Sequence, residues 1–207
     1  MIIWEDEALI LSSIKYSETS LILKVFTKYH GVQRGFVKGA KNQKKGSIYE
    51  SGNFVTISYK ARTDSMLGTV SIELLKPCPL IYLYDRKKFS CIVSILNLIE
   101  FCLLENEIES DLYLITVELI EKVLSKTIYW IEEYIRWEVY LLRKIGYGLE
   151  LNRCIISNKS YDLIYISPKS GCAVNKDEGE KWKNKLLTLP EFLITEKNAG
   201  KDELQQG

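Results

Sequence analysis

The 207-residue sequence predicts an α+β chain, with a small β-barrel first, a helical domain second and a minor β element inserted late. Three observations carry that prediction. Up to residue 76, five short runs rich in Ile, Val, Leu, Phe and Tyr are separated by turn residues. Beyond Pro77 and Pro79, apolar residues recur at three- and four-residue intervals, the helical period. After Gly148 the runs shorten again and turn residues return.

The expected strands are Ala8–Ile14, Ser20–Thr27, Val32–Lys38, Asn53–Lys60 and Leu67–Leu75. Lys28-Tyr29-His30-Gly31 is a tight hairpin connection in which Gly31 is free to take positive φ. The stretch from Gly39 to Ser47 is a glycine-bounded basic loop without hydrophobic periodicity. Five strands at this spacing fit a barrel of the OB type, which binds oligonucleotides across its strand 2 and 3 face. An SH3-like barrel satisfies the same count.

The two prolines mark a domain boundary. Helices are expected over Lys87–Leu104, Asp111–Ser125 and Ile128–Ile145, with Ser110 or Asp111 as N-cap of the second. The third closes on Arg143 and Lys144 with Gly146 beyond, a stop signal. Its aromatics Trp130, Tyr134, Trp137 and Tyr140 read as a core stripe, and Glu132 and Glu133 as its solvated side. Leu151–Ile156 and Leu163–Ser167 then read as strands, and Glu178–Leu187 as a short helix.

Total charge is +1, from 28 Lys plus Arg against 27 Asp plus Glu, yet it is unevenly placed. Residues 1–76 carry 11 basic and 7 acidic groups, and residues 77–150 carry 8 and 12. Within residues 24–62, nine cations (Lys24, Lys28, Arg34, Lys38, Lys41, Lys44, Lys45, Lys60 and Arg62) face one acid, Glu50. That window is a candidate polyanion surface. Phe26, Tyr29, Phe36, Tyr49, Phe54 and Tyr59 are interleaved with the cations, the combination used by single-strand binders. Some of these rings must fill the barrel, so a minority remain for base stacking.

Catalytic constellations are missing from the sequence. Its one histidine, His30, sits in a hairpin turn, where it stabilises the turn more readily than it serves as a general base. No Walker or dinucleotide glycine loop and no nucleophile elbow occurs. Cys154 and Cys172 occupy the two arms where a zinc ribbon places its ligands, but the partner positions hold Ser157 and Asn175. The β element is therefore expected without metal, held by Leu163, Tyr165 and Ala173. Cys78, Cys91 and Cys102 sit in apolar surroundings and read as buried thiols. No signal-peptide pattern and no run long enough for a membrane span is present, which places the expected product in the cytoplasm.

Several segments in register resemble the RecO family of bacterial DNA repair proteins. They are Trp4-Glu5-Asp6-Glu7-Ala8, Tyr16-Ser17-Glu18-Thr19-Ser20-Leu21-Ile22, Phe26-Thr27-Lys28-Tyr29-His30-Gly31 and Gly35-Phe36-Val37-Lys38-Gly39-Ala40. Gly146-Tyr147-Gly148-Leu149-Glu150-Leu151 with Cys154, Tyr165-Ile166-Ser167-Pro168-Lys169-Ser170-Gly171 and Leu189-Pro190-Glu191-Phe192-Leu193 follow in the same order.

The resemblance implies a five-stranded OB-fold barrel over 1–76, a helical domain over 80–148 and 178–207, and a degenerate zinc-finger-like insert over 149–177 that lacks metal ligands. It implies a non-enzymatic recombination mediator, nucleoid-associated and without cofactor, that binds single- and double-stranded DNA and anneals complementary strands. With RecR such a mediator loads RecA onto gaps coated by single-stranded-DNA-binding protein. The basic barrel surface it implies falls on Arg34, Lys38 and Lys41, with Lys44 and Lys45 in the adjoining loop, and the charge window adds Lys24 and Arg62 to the expected DNA-binding residues. Contact with the acidic tail of single-stranded-DNA-binding protein falls on the helical domain, where Arg136, Arg143 and Lys144 are the available cations. Two departures accompany it: each arm of the finger keeps one cysteine, and the family usually continues into further helix beyond the Leu189-Pro190 segment. A protein-interaction adaptor with incidental nucleic-acid contact is the alternative, suggested by the acidic middle section.

Overall fold

A computed structural model describes residues 1–40, 46–63, 66–78, 84–125 and 129–195. The chain divides into two compact units, Met1–Leu124 and Ser125–Gly207.

The first unit is built on a closed five-stranded barrel: β1 (Ile2–Lys15), β2 (Leu21–Thr27), β3 (Gly31–Val37), β4 (Phe54–Ala61) and β5 (Gly68–Lys76), in the order β1-β2-β3-β5-β4. β1 pairs antiparallel with both β2 and β4, and β3 joins β5 in parallel, so no strand is left as a free edge. The order and closure agree with the OB architecture expected from sequence. β1 starts earlier than its hydropathy suggests because exposed Glu5 and Glu7 alternate with inward Trp4, Asp6 and Ala8.

Alternate residues fill the interior, among them Ala8, Ile10, Leu23, Val25, Val37, Val55, Ile57 and Val70. Ala40, Ile48 and Tyr49 join the same cluster, the last two from a 3-10 turn over Gly46–Tyr49. Trp4 stacks between His30 and Tyr59, with ring centroids 4.0 and 4.6 Å away. The His30 turn is tied down by buried Asp6, whose Oδ2 accepts the Tyr29 amide at 2.8 Å and meets His30 Nδ1 at 2.8 Å. Gly31 takes φ +69, and a Cβ there would lie 2.0 Å from the Glu107 carbonyl oxygen. The hairpin role read for these residues is what they perform.

Two helices complete the unit. α1 (Arg86–Cys102) is capped by Asp85, whose carboxylate accepts the Lys87 and Lys88 amides, and buries Cys91, Ile92, Ile95, Leu96 and Ile99. α2 (Ser110–Leu124) buries Leu112, Tyr113, Thr116, Leu119, Ile120 and Val123. Both stripes keep helical spacing. The Ser110 hydroxyl donates to the Lys28 carbonyl at 2.6 Å and so fastens α2 to the β2–β3 turn.

The second unit contains α3 (Trp130–Lys144) and a three-stranded sheet, β7-β6-β8, made of β6 (Leu163–Ile166), β7 (Ala173–Asn175) and β8 (Leu187–Thr188). Of the four α3 aromatics only Trp137 is fully buried, while Glu132, read as solvated, is buried at the helix N-terminus, three residues before buried Ile135. An acid is favoured at that end by the helix dipole.

The expected strand Leu151–Ile156 is not formed. Glu150 makes one bridge to Cys172, and the chain then turns so that the Cys154 and Ile155 amides donate to Lys159 and Ala173 carbonyls. The expected helix Glu178–Leu187 is a single α-turn, α4 (Lys176–Gly179), followed by a 3-10 segment over Glu180–Lys185. Its Leu187 belongs to β8, pairing with Ile166. The sheet core consists of Cys154, Leu163, Ile166, Ala173, Val174 and Leu189, with Tyr165 packed against it.

Candidate nucleic-acid interface

The outward face of β1, β2 and β3 is laid out in cross-strand rows fixed by register. Leu9 pairs with Phe26 and Phe26 with Val32; Ser12 pairs with Lys24 and Lys24 with Arg34; Ile14 pairs with Ile22 and Ile22 with Phe36. On β2 these positions alternate with Leu21, Leu23 and Val25, which face the barrel interior, while on β1 a bulge between Ile10 and Ser12 interrupts the alternation and Ser13 and Lys15 are exposed.

The first row is completely buried. The Phe26 ring meets Tyr113 of α2 edge-on at 5.5 Å, and the connection between α1 and α2 pairs along the β3 edge at Val32. That connection is held by the Asn106 amide donating to the Val32 carbonyl at 3.0 Å and by Gln33 Nε2 donating to Asn106 Oδ1 at 3.0 Å.

The second row is charged, and its cations are engaged. Lys24 Nζ donates to the Glu100 carbonyl at 2.8 Å and lies 3.8 Å from that residue's carboxylate, which also accepts the Ser12 hydroxyl at 2.9 Å. Arg34 Nε is 2.6 Å from Glu105 Oε1.

The third row is the open one, although Ile22 and Phe36 within it are half-buried. Ile14 is 64% exposed, and Tyr16, just past β1, is 67% exposed and packs edge-on against Phe36 at 5.4 Å. Beyond it, exposed Lys38 follows β3 and leads into the basic loop. No described carboxylate pairs with Lys38 or with exposed Arg62 after β4. Exposed Met66 and Leu67 precede β5 in the β4–β5 connection. The face therefore offers an apolar and aromatic strip with cations at its margins, arranged on the strands and connections that OB barrels use for oligonucleotides.

Of the sequence-derived DNA residues, Lys24 and Arg34 adjoin the strip in the engaged row, Lys38 lies at its far end and Arg62 lies in the β4–β5 connection. Lys41, Lys44 and Lys45 lie outside the described residues. Among the interleaved rings, only Phe36 belongs to the strip; Tyr49 and Tyr59 fill the barrel, Phe26 and Phe54 are buried, and Tyr29 occupies the hairpin turn. Tyr16, Ile14 and Ile22 were missed by charge counting. Strand parity would have found them, since Ile22 is out of phase with inward Leu23 and Val25.

The three cations assigned to partner contact are not alike. Arg136 is held within its own unit, donating to the Thr195 carbonyl at 3.3 Å with its guanidinium 5.6 Å from the Phe192 ring centre. Lys144 lies over Tyr140, and Arg143 is exposed. A larger apolar feature lies on α1, where Phe89, Val93, Leu98 and a 93% exposed Phe101 line, with Lys24, a groove of about 790 Å³.

In the β element, burial acts to raise the Cys154 thiol. The Ser157 hydroxyl and the backbone amides of Ser157, Asn175 and Ile156 outweigh it and hold the thiol below its ordinary value. Among the described residues, no group of three or more His, Cys, Asp or Glu is placed to hold a metal ion, and no helix is long and apolar enough to cross a membrane.

Comparison with known proteins supplies an independent reading. The family model described as recombination protein O N terminal matches residues 1–78, and that described as recombination protein O C terminal matches residues 83–206. A DNA repair protein RecO from Roseobacter denitrificans is 34% identical over 190 residues, covering 92% of this chain and 78% of that protein. RecO from Orientia tsutsugamushi is 34% identical over 191 residues, 92% and 79% of the two chains. RecO from Granulibacter bethesdensis is 31% identical over 199 residues, 96% and 80%.

Proposed function

The chain belongs to the recombination protein O family of DNA repair proteins, and from that premise we propose that it is a non-enzymatic mediator that binds single-stranded DNA on the β1–β2–β3 face and anneals complementary strands. The observation that carries this reading is the open row of Ile14, Ile22 and Phe36 with Tyr16, bordered by Lys38 on one side and by Lys24 and Arg34 on the other. Stacked bases would lie on the strip while phosphates reach the bordering cations. Loading of RecA with RecR onto gaps coated by single-stranded-DNA-binding protein is the cellular step proposed for it. Duplex contact would draw on the same cations without the stacking row.

The test is strand annealing by the purified chain, with and without single-stranded-DNA-binding protein, beside anisotropy on a labelled oligonucleotide. Accelerated annealing and affinity that falls as salt rises are expected, because neutralised phosphates release counterions. Absence of oligonucleotide affinity at low salt would refute the reading.

The α1 groove favours a second reading, an adaptor in which partner contact is primary and DNA contact incidental. An exposed ring such as Phe101 at the rim of an apolar groove is typical of interaction surfaces. Phe101→Ala that abolished repair in cells while leaving oligonucleotide affinity intact would support the adaptor role.

A further inference from the structure

The charged row contains its own anions. Lys24 and Arg34 are directly paired across β2 and β3, two like charges side by side on one face. Such a pair is unfavourable unless counter-charge is brought to it. Glu105, in the α1–α2 connection, supplies it to Arg34 at 2.6 Å, and Glu100, near the end of α1, supplies it to Lys24 through a carboxylate at 3.8 Å beside its carbonyl at 2.8 Å. Their positions are fixed from behind: the Glu100 carboxylate by the Ser12 hydroxyl, and Glu105 by its bridge to Val32 beside the Asn106–Val32 hydrogen bond.

We propose that Glu100 and Glu105 are built-in stand-ins for DNA phosphate, occupying Lys24 and Arg34 until a polynucleotide displaces them and so setting how tightly, and how selectively, the strand face binds. This rests on the reading of that face as a DNA site. A carboxylate presents to a guanidinium the same pair of acceptor oxygens as a phosphate edge, so exchange requires no new geometry from Arg34. The Arg34–Glu105 pair is open to water on both sides, with 56% and 36% of the two side chains exposed. An exposed pair of this kind shifts an equilibrium by no more than about fivefold. It can therefore be opened by a ligand that gains elsewhere, and a strand stacking its bases on Tyr16 and Phe36 does so. A polyanion without bases gains less, because the carboxylates have already cancelled two of the cations it would bind.

Anisotropy with a labelled oligothymidylate, repeated across salt concentrations and in competition with inorganic polyphosphate, tests this. The Glu100→Gln/Glu105→Gln variant keeps the acceptor oxygen for Ser12 and removes both charges. Its affinity at low salt should rise roughly tenfold. Its salt dependence should steepen by about 1.4 in logarithmic slope, for two further phosphates at about 0.7 each. Polyphosphate should become a distinctly stronger competitor against the variant than against the wild type.

Glu105→Gln alone should give about half of each effect. Glu73→Gln, an exposed acid on β5, should leave the slope unchanged and so report the effect of net charge alone. If the wild type binds oligothymidylate and the double variant matches it in affinity and slope, the stand-in role is wrong and the DNA face stands. If neither binds, both fall together.

Discussion

Leu9, Phe26 and Val32 on one side and Ile14, Ile22 and Phe36 on the other are built from the same residue types. They sit on the same three strands and point in the same outward direction. The first row is sealed, with Tyr113 of α2 against Phe26 and the α1–α2 connection paired along the β3 edge at Val32; the second is open and carries Tyr16. Local sequence on β2 and β3 does not distinguish them, since there each is an apolar set alternating with inward residues. The difference comes from a second layer that covers part of the face and stops at the charged row. One face is thereby divided into a part that holds the unit together and a part left for a ligand.

The largest effect should come from the sealed row. Phe26→Ala removes a ring with no exposed surface, together with its edge contact to Tyr113. A loss of about 3–5 kcal/mol is expected, read as a lower midpoint in chemical denaturation. The fraction that remains folded should bind oligonucleotide normally. Loss of DNA affinity at full stability would break the division between the rows.

The open row should respond in the opposite sense. Phe36→Ala is expected to leave the denaturation midpoint almost unchanged and to weaken single-strand binding by about 1–3 kcal/mol, the range for one base stacked on one ring. Tyr16→Ala should act in the same direction, since the two rings support one another. If Phe36→Ala unfolded the chain instead, the strip would be core and not platform.

Much of this was legible from residues alone. Alternating hydropathy gave the five strands in order, and the helical period gave α1, α2 and α3 within a few residues of their ends. Strand Leu151–Ile156 failed because a run of apolar residues needs a partner edge, and here the backbone amides turn toward Cys154 and neighbouring carbonyls instead. The candidate site was half legible. Composition located the basic window, but Glu100 is 76 positions from Lys24, and no local pattern reveals which acid will reach which base. Nor does it reveal which of six rings stay outside, because that depends on barrel closure for Tyr49 and Tyr59 and on where α2 rests for Phe26. Register supplies what composition lacks: placing Ile22 opposite Phe36 identifies the open row.

The smallest effect should come from the margin of the open row, and it separates charge from stacking. Lys38 is exposed, pairs with no described carboxylate and follows directly on β3, one row beyond Phe36. Its contribution is then one phosphate contact and nothing to folding. Lys38→Ala should weaken binding a few-fold at low salt and reduce the logarithmic salt slope by about 0.7, the value for one phosphate on a single strand. All sequences should be affected alike, because a phosphate contact positions the strand without reading it. Phe36→Ala should do the reverse, lowering affinity while leaving the slope where it was, since a stacked base releases no counterion. The two variants therefore form a crossed pair. If Lys38→Ala left the slope unchanged, the strand would run elsewhere on the barrel, and the open row would lose its role as the stacking platform.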